Sequence, residues 1–139
     1  MTDLSVTAGN VAAGPNAIIR EGVAGVTITA GQTVYKNDQN NNRLHLADCV
    51  ASPQTANAAG IALHGASAGQ PLKYVESDDD FTPGGTLVLG TPYVLSEAGG
   101  IAPVADLAAD DYLTFLMVPK TTAKARLRPL ASGAQVPQT

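Results

Sequence analysis

A chain of 139 residues is the size of one domain, and its core must be built from small parts: it has no Trp, two Phe and four Tyr, and much of its 45% hydrophobic content is Ala and Val. A net charge of −4 argues against a protein that works by neutralising nucleic-acid phosphates, and no stretch approaches the roughly 18 apolar residues of a membrane span. The 14 Gly and 9 Pro interrupt the chain every few residues, which excludes long helices and favours many short strands.

Residues 1–16, MTDLSVTAGNVAAGPN, are small, polar and Gly-rich and read as an N-terminal arm. They have neither the basic start nor the apolar run of a secretion signal, so synthesis in a cytoplasm is expected. With little apolar bulk to offset the entropy of fixing it, the arm is expected to be mobile alone. Leu4, Val6 and Val11 are spaced to dock on a partner's sheet edge as an extended segment. A β-rich domain is expected over residues 17–128, beginning with a strand at Ala17 to Glu21.

The next stretch is written twice. Thr27, Ile28, Gly31, Val34 and Tyr35 stand 59 residues before Thr86, Leu87, Gly90, Tyr93 and Val94. Leu46-Ala47-Asp48 is then matched to Val104-Ala105-Asp106, 58 residues on, after a loop one residue shorter. Each copy, about 26–75 and 85–128, reads as a short apolar strand, a Gly turn, a strand with an aromatic, a polar loop and a strand ending in Asp. The expected fold is all-β: a duplicated β-meander forming a small barrel or sandwich, with extended N- and C-terminal arms.

Within the first copy, Val26 to Thr29 alternates as a half-buried strand does, and Asn37 to Asn42 forms a polar hairpin tip whose residues tolerate left-handed backbone. Ser52 to Ala59 is either one helical turn or a plain loop. Gly60 to Leu63 and Pro71 to Val75 are strands, and Glu76 to Gly85 is read as a solvated connector between the copies. In the second copy, Tyr112 to Val118 is the strongest apolar run and is expected at the centre of the core. Lys124 to Arg128 alternates as a strand with one wet face, and residues 129–139 form a C-terminal tail resembling the N-terminal arm in composition.

Little in the chain points to catalysis. His45 and His64 lie in different places of the repeat, outside metal-ligand spacing of each other or of Cys49. Cys49, the single Cys, reads as a small buried hydrophobe. Glu76, Asp78, Asp79 and Asp80 lack the ligand ladder of a dedicated calcium loop, which leaves a solvated connector as the main reading and an ion site as the alternative. No nucleophile elbow or phosphate cradle is present, so no enzyme, cofactor or metal is expected. Four of the eight basic residues, Lys120, Lys124, Arg126 and Arg128, fall in the last 20, and an uneven charge of this kind orients a protein on a patterned surface.

The motifs TxxxGxxxY (Thr27 to Tyr35), LAD (Leu46 to Asp48), AGIA (Ala59 to Ala62), GQPxxY (Gly69 to Tyr74), GxxYVLS (Gly90 to Ser96) and GGIAPxxD (Gly99 to Asp106) run in this order. Over Val23 to Val118 this pattern resembles the small β-rich decoration, or cement, proteins encoded among the head genes of tailed bacteriophages. The resemblance implies a virion protein on the outer capsid surface, a dimer or trimer, that stabilises the shell by bridging subunits of the major capsid protein. The residues expected at that contact are Leu4, Val6, Val11, Lys120, Lys124, Arg126 and Arg128. The longer Asn-rich tip and Asp78 to Asp80 depart from the family pattern. The alternative is a receptor- or glycan-binding module at the base of a fibre, although the Asn37 to Asn42 tip lacks the aromatic platforms that sugar sites use.

Overall fold

A computed structural model describes residues 3–109 and 111–135. The architecture is all-β: nine strands joined by turns and three short 3-10 segments, with no α-helix among the described residues. The strands are β1 (Ile18–Val23), β2 (Thr33–Asn37), β3 (Arg43–Leu46), β4 (Gly60–Ala62), β5 (Pro71–Phe81), β6 (Tyr93–Leu95), β7 (Ile101–Pro103), β8 (Tyr112–Pro119) and β9 (Ala125–Gln135). They form one curled antiparallel sheet in the order β3-β2-β4-β5-β9-β8-β6-β7, with β1 paired to β5 beside this path.

That order is a palindrome of equivalent parts. In the first unit β2 and β3 form a hairpin, β4 returns beside β2, and β5 lies beyond β4. In the second unit β6 and β7 form the hairpin, β8 returns beside β6, and β9 lies beyond β8. The equivalence extends to single hydrogen bonds: Ile28 N to Ala66 O and Leu87 N to Thr122 O are both 2.8 Å. Ala47 N to Thr33 O at 2.9 Å likewise has its counterpart in Val104 N to Pro92 O at 3.0 Å. The latter pair corrects the alignment drawn from LAD, because Ala47 corresponds to Val104 rather than to Ala105. The second hairpin is therefore two residues shorter than the first. Its tip makes the turn with left-handed Ala98 and Gly99, where the first uses left-handed Asn41 and Asn42.

Strand β5 joins the units. Its first half pairs with β1 on one side and β4 on the other, and its second half pairs with β9. The segment Glu76 to Phe81, expected as a solvated connector, is thus the second half of an 11-residue strand. A strand reading was obscured there by four carboxylates, three of which (Glu76, Asp78 and Asp80) find tertiary partners. Val26 to Thr29 is not a regular strand. Only Ile28 is bridged, to Ala66, because the chain meets that neighbour at one point and then turns at Gly31.

The core has two compartments that alternation along the shared strands sorts out. Val34, Leu44, Ala62, Leu72, Tyr74 and Ile28 fill the interior of the first unit. Their strand neighbours Tyr35, Ile61 and Val75 point the other way, into a larger cluster with Phe81, Leu87, Tyr93, Leu95, Leu116, Met117 and Leu127. The middle strands of the first unit are therefore buried on both faces. A Cβ on Gly60 would lie 2.1 Å from the Val75 carbonyl oxygen, so only glycine lets β4 approach β5 at this point. Strand β8 does not occupy the centre of this core. Thr114, Leu116 and Met117 are buried, but Phe115 and Val118 face solvent.

The two faces of β8 give an internally controlled test of this packing. Leu116→Ala is expected to cost about 2–5 kcal/mol, the range for truncating a buried leucine. Val118→Ala, two residues away and exposed, is expected to stay within about 0.5 kcal/mol. Urea unfolding of both variants measures the contrast, and similar losses would mean that the assigned faces are wrong.

Candidate docking surface

The basic residues near the C-terminus separate into two pairs. Lys120 and Lys124 sit at the two ends of the β8–β9 turn, closed by Lys120 N donating to Lys124 O at 2.9 Å. Both ammonium groups reach back to β5: Lys124 Nζ lies 3.2 Å from Asp80 Oδ2, and Lys120 Nζ lies 3.4 Å from Oδ1 and 3.0 Å from the Asp79 carbonyl oxygen. The hydrogen bond from Lys124, reinforced by Lys120, holds the Asp80 carboxyl below the usual range. These lysines clamp the turn onto the junction strand.

Arg126 and Arg128 are different. They project from the wet face of β9, and their side chains have no ion-pair or hydrogen-bond partner among the described residues. Cross-strand pairing sets their neighbours. Val118 is opposite Arg126 and Phe115 is opposite Leu130, with a bulge between Phe115 and Met117 that turns both Phe115 and Val118 outward. The result is an exposed apolar strip of Phe115, Val118 and Leu130 crossed by two guanidinium groups. Phe115, Val118 and the two arginines themselves line a depression of about 250 Å³, bordered also by Asp79. Phe115 and Leu130 are 38% and 65% exposed, unusually open for a directly opposed apolar pair on a sheet. Strand β9 also continues past Arg128 through Gln135, so the first part of the expected C-terminal tail is sheet; residues 136–139 lie outside the described residues.

The N-terminal segment lies along its own core. Leu4 N donates to Ile101 O at 2.6 Å, Thr7 N to Gly84 O at 2.8 Å, and Ala12 exchanges a pair of backbone bonds with Thr82. Leu4 and Val11 pack on the larger core cluster, and Val6 and Val11 cover Gly31. The free arm expected from composition is instead a docked strap. What composition does not show is its anchor: Gly14 N donates to Asp78 Oδ2 at 2.7 Å, while Oδ1 of the same buried carboxylate accepts from Asp80 N at 2.9 Å. A side chain at position 14 would collide with Asp78 and Asp80, so Gly14 is the only residue type that permits this contact.

The other polar candidates are engaged locally. Glu76 pairs with Arg20 at 3.3 Å, so in the acidic segment Glu76, Asp78 and Asp80 each have separate partners. His45 Nε2 is 2.9 Å from Asn40 Nδ2, which fixes the hairpin tip. His64 bridges the Gly65 carbonyl oxygen and Lys73 N. Cys49 is fully buried where the units meet, its N–H bonded to Ser96 O and its carbonyl oxygen to Tyr112 N. Burial, and then the negative charges of Asp111, Asp48 and Glu97, push its thiol up to about 12.

No family profile and no curated protein sequence matches this chain.

Two outcomes follow from these contacts. Asp78→Ala leaves the Gly14 and Asp80 amides without their acceptor and is expected to cost about 1–3 kcal/mol. Hydrogen exchange should then accelerate at Gly14 and Ala12 before it does in β8; unchanged exchange along the strap would contradict the anchor. Cys49 should react with thiol reagents at pH 8 only as fast as the protein unfolds. The unfolded thiol ionises near 9.0 and the folded one near 12, so the unfolded state loses its proton first and stability falls as pH rises through this window. Cys49→Ala should remove that part of the alkaline loss, which denaturant midpoints at pH 8 and pH 10.5 would measure.

Proposed function

We propose that this protein is a capsid decoration protein that binds the outer surface of a tailed-phage head and braces it by bridging subunits of the major capsid protein. The observation that carries this reading is the β8–β9 face. Its apolar strip is open, and two arginines with no partner among the described residues stand on it in a molecule of net charge −4. Such a face matches a protein surface that supplies apolar side chains flanked by carboxylates. The family resemblance of the repeated motifs supports the same reading.

Adhesion of this kind gains from number. Each face is small, and a single contact of this size is weak, but a dimer or trimer that engages several capsid subunits at once raises the effective concentration of every further contact. The arginines give orientation and encounter rate, and the apolar strip supplies the area that is desolvated. Lys120 and Lys124 act in this account through Asp80, by holding the β8–β9 turn in place, and Leu4, Val6 and Val11 by bracing the edge of the sheet.

Co-sedimentation with purified mature heads tests the proposal. The Arg126→Glu/Arg128→Glu double variant should keep its denaturant midpoint and lose shell occupancy by at least about tenfold, equivalent to roughly 1.4 kcal/mol per site. Binding by the parent chain should weaken as salt is raised. Full occupancy by the double variant, or failure of the parent chain to bind heads at all, would overturn it.

A further inference from the structure

The two units present the same turn in different states. In the first, Thr29-Ala30-Gly31 ends in left-handed Gly31 (φ 90°), and in the second, Val88-Leu89-Gly90 ends in left-handed Gly90 (φ 83°). The bonds that shape the turn are also the same, Gln32 N to Thr29 O and Thr91 N to Val88 O both measuring 3.3 Å.

Their surroundings differ. Gly31 is covered by the N-terminal strap so closely that a Cβ there would stand 2.5 Å from Val6 Cγ1 and 3.2 Å from Val11 Cγ2. At Gly90 no heavy atom of the described residues, its chain neighbours aside, lies within 4 Å of the same position. The bare copy is also the more apolar one: Val88 replaces Thr29 and Leu89 replaces Ala30, and they are 61% and 58% exposed. The strap cannot serve both turns. Its bonds to Gly84, Thr82 and Asp78 hold it on the first.

We propose that the Val88-Leu89-Gly90 turn is a docking site for an extended segment of another polypeptide, with the chemistry of residues 4–11: uncharged, with small apolar side chains among Ser, Thr and Gly. The chain itself displays the bound state, because Val6 and Val11 over Gly31 show how valine side chains seat on this turn when nothing projects from its left-handed corner. Burial of Val88 and Leu89 gives the second turn more apolar area to cover than Thr29 and Ala30 give the first. This inference stands apart from the capsid reading, since it rests on the internal repeat alone.

A peptide with the sequence of residues 3–14, titrated into the isotopically labelled full chain, provides the test. Saturable amide shifts are expected at Leu87 to Gly90. In the Val88→Thr/Leu89→Ala variant, which gives the second turn the outward residues of the first at exposed positions, the affinity should fall by at least about tenfold. A second variant, Gly90→Val, should abolish the shifts by placing a side chain in the corner, and its far-ultraviolet spectrum checks that the fold is kept. Absence of shifts at millimolar peptide, shifts confined to Thr29 to Gly31 through exchange with the strap, or equal affinity in the Val88→Thr/Leu89→Ala variant would each overturn the proposal.

Discussion

Strand β5 has to satisfy both halves of the molecule at once. Tyr74 and Val75 are adjacent and both buried, one in the interior of the first unit and one in the larger cluster that the two units share. Three residues later Asp78 is buried as well, and Phe81 closes the strand against β9. A strand with both faces covered cannot slip by one residue, because every side chain would change compartments. Gly60 tightens the constraint from the side of β4, where the Val75 carbonyl oxygen fills the space of a side chain. The register of β5 thereby fixes how the two units meet.

Around that junction the duplication is kept in the backbone and relaxed at the surface. Equivalent bonds at Ile28 and Leu87, and at Ala47 and Val104, hold the same turns in both copies. The differences lie where side chains face outward. The first unit has the Asn-rich tip and the covering strap; the second has a two-residue shorter tip, an apolar turn left open, and a β8–β9 pair carrying Phe115, Val118, Leu130 and two arginines without a partner among the described residues. The strap covers the Gly31 turn of the first unit, whereas the matching turn and the β8–β9 pair of the second leave Val88, Leu89, Phe115, Val118 and Leu130 outward. Under the proposed function, the second unit would make the contact.

The duplication was legible in the chain because Gly31 and Gly90 occupy positions where left-handed backbone excludes other residue types, and such residues persist in a recognisable pattern. Alternation in Lys124 to Arg128 likewise marked a strand with one wet face. Other features depended on partners far away in sequence. Asp78 reads as a solvated carboxylate until Gly14, 64 residues earlier, supplies its N–H. The strap reads as mobile because it carries little apolar bulk, and it is glycines far away in sequence, at 31, 84, 85 and 100, that make room for it. Tyr112 to Val118 looks like a fully buried run, and the bulge that turns Phe115 and Val118 to solvent has no local sequence signal. The LAD match placed Asp48 on Asp106, whereas hydrogen bonding is blind to side-chain identity and places Ala47 on Val104.

The account requires the two units to form a single cooperative body, since β5 cannot keep its place in one if the other is lost. Differential scanning calorimetry tests this most directly. One transition, with calorimetric and van't Hoff enthalpies in agreement, is the predicted result. Two resolved transitions, or a van't Hoff enthalpy near half the calorimetric one, would show that the halves melt independently and would contradict it.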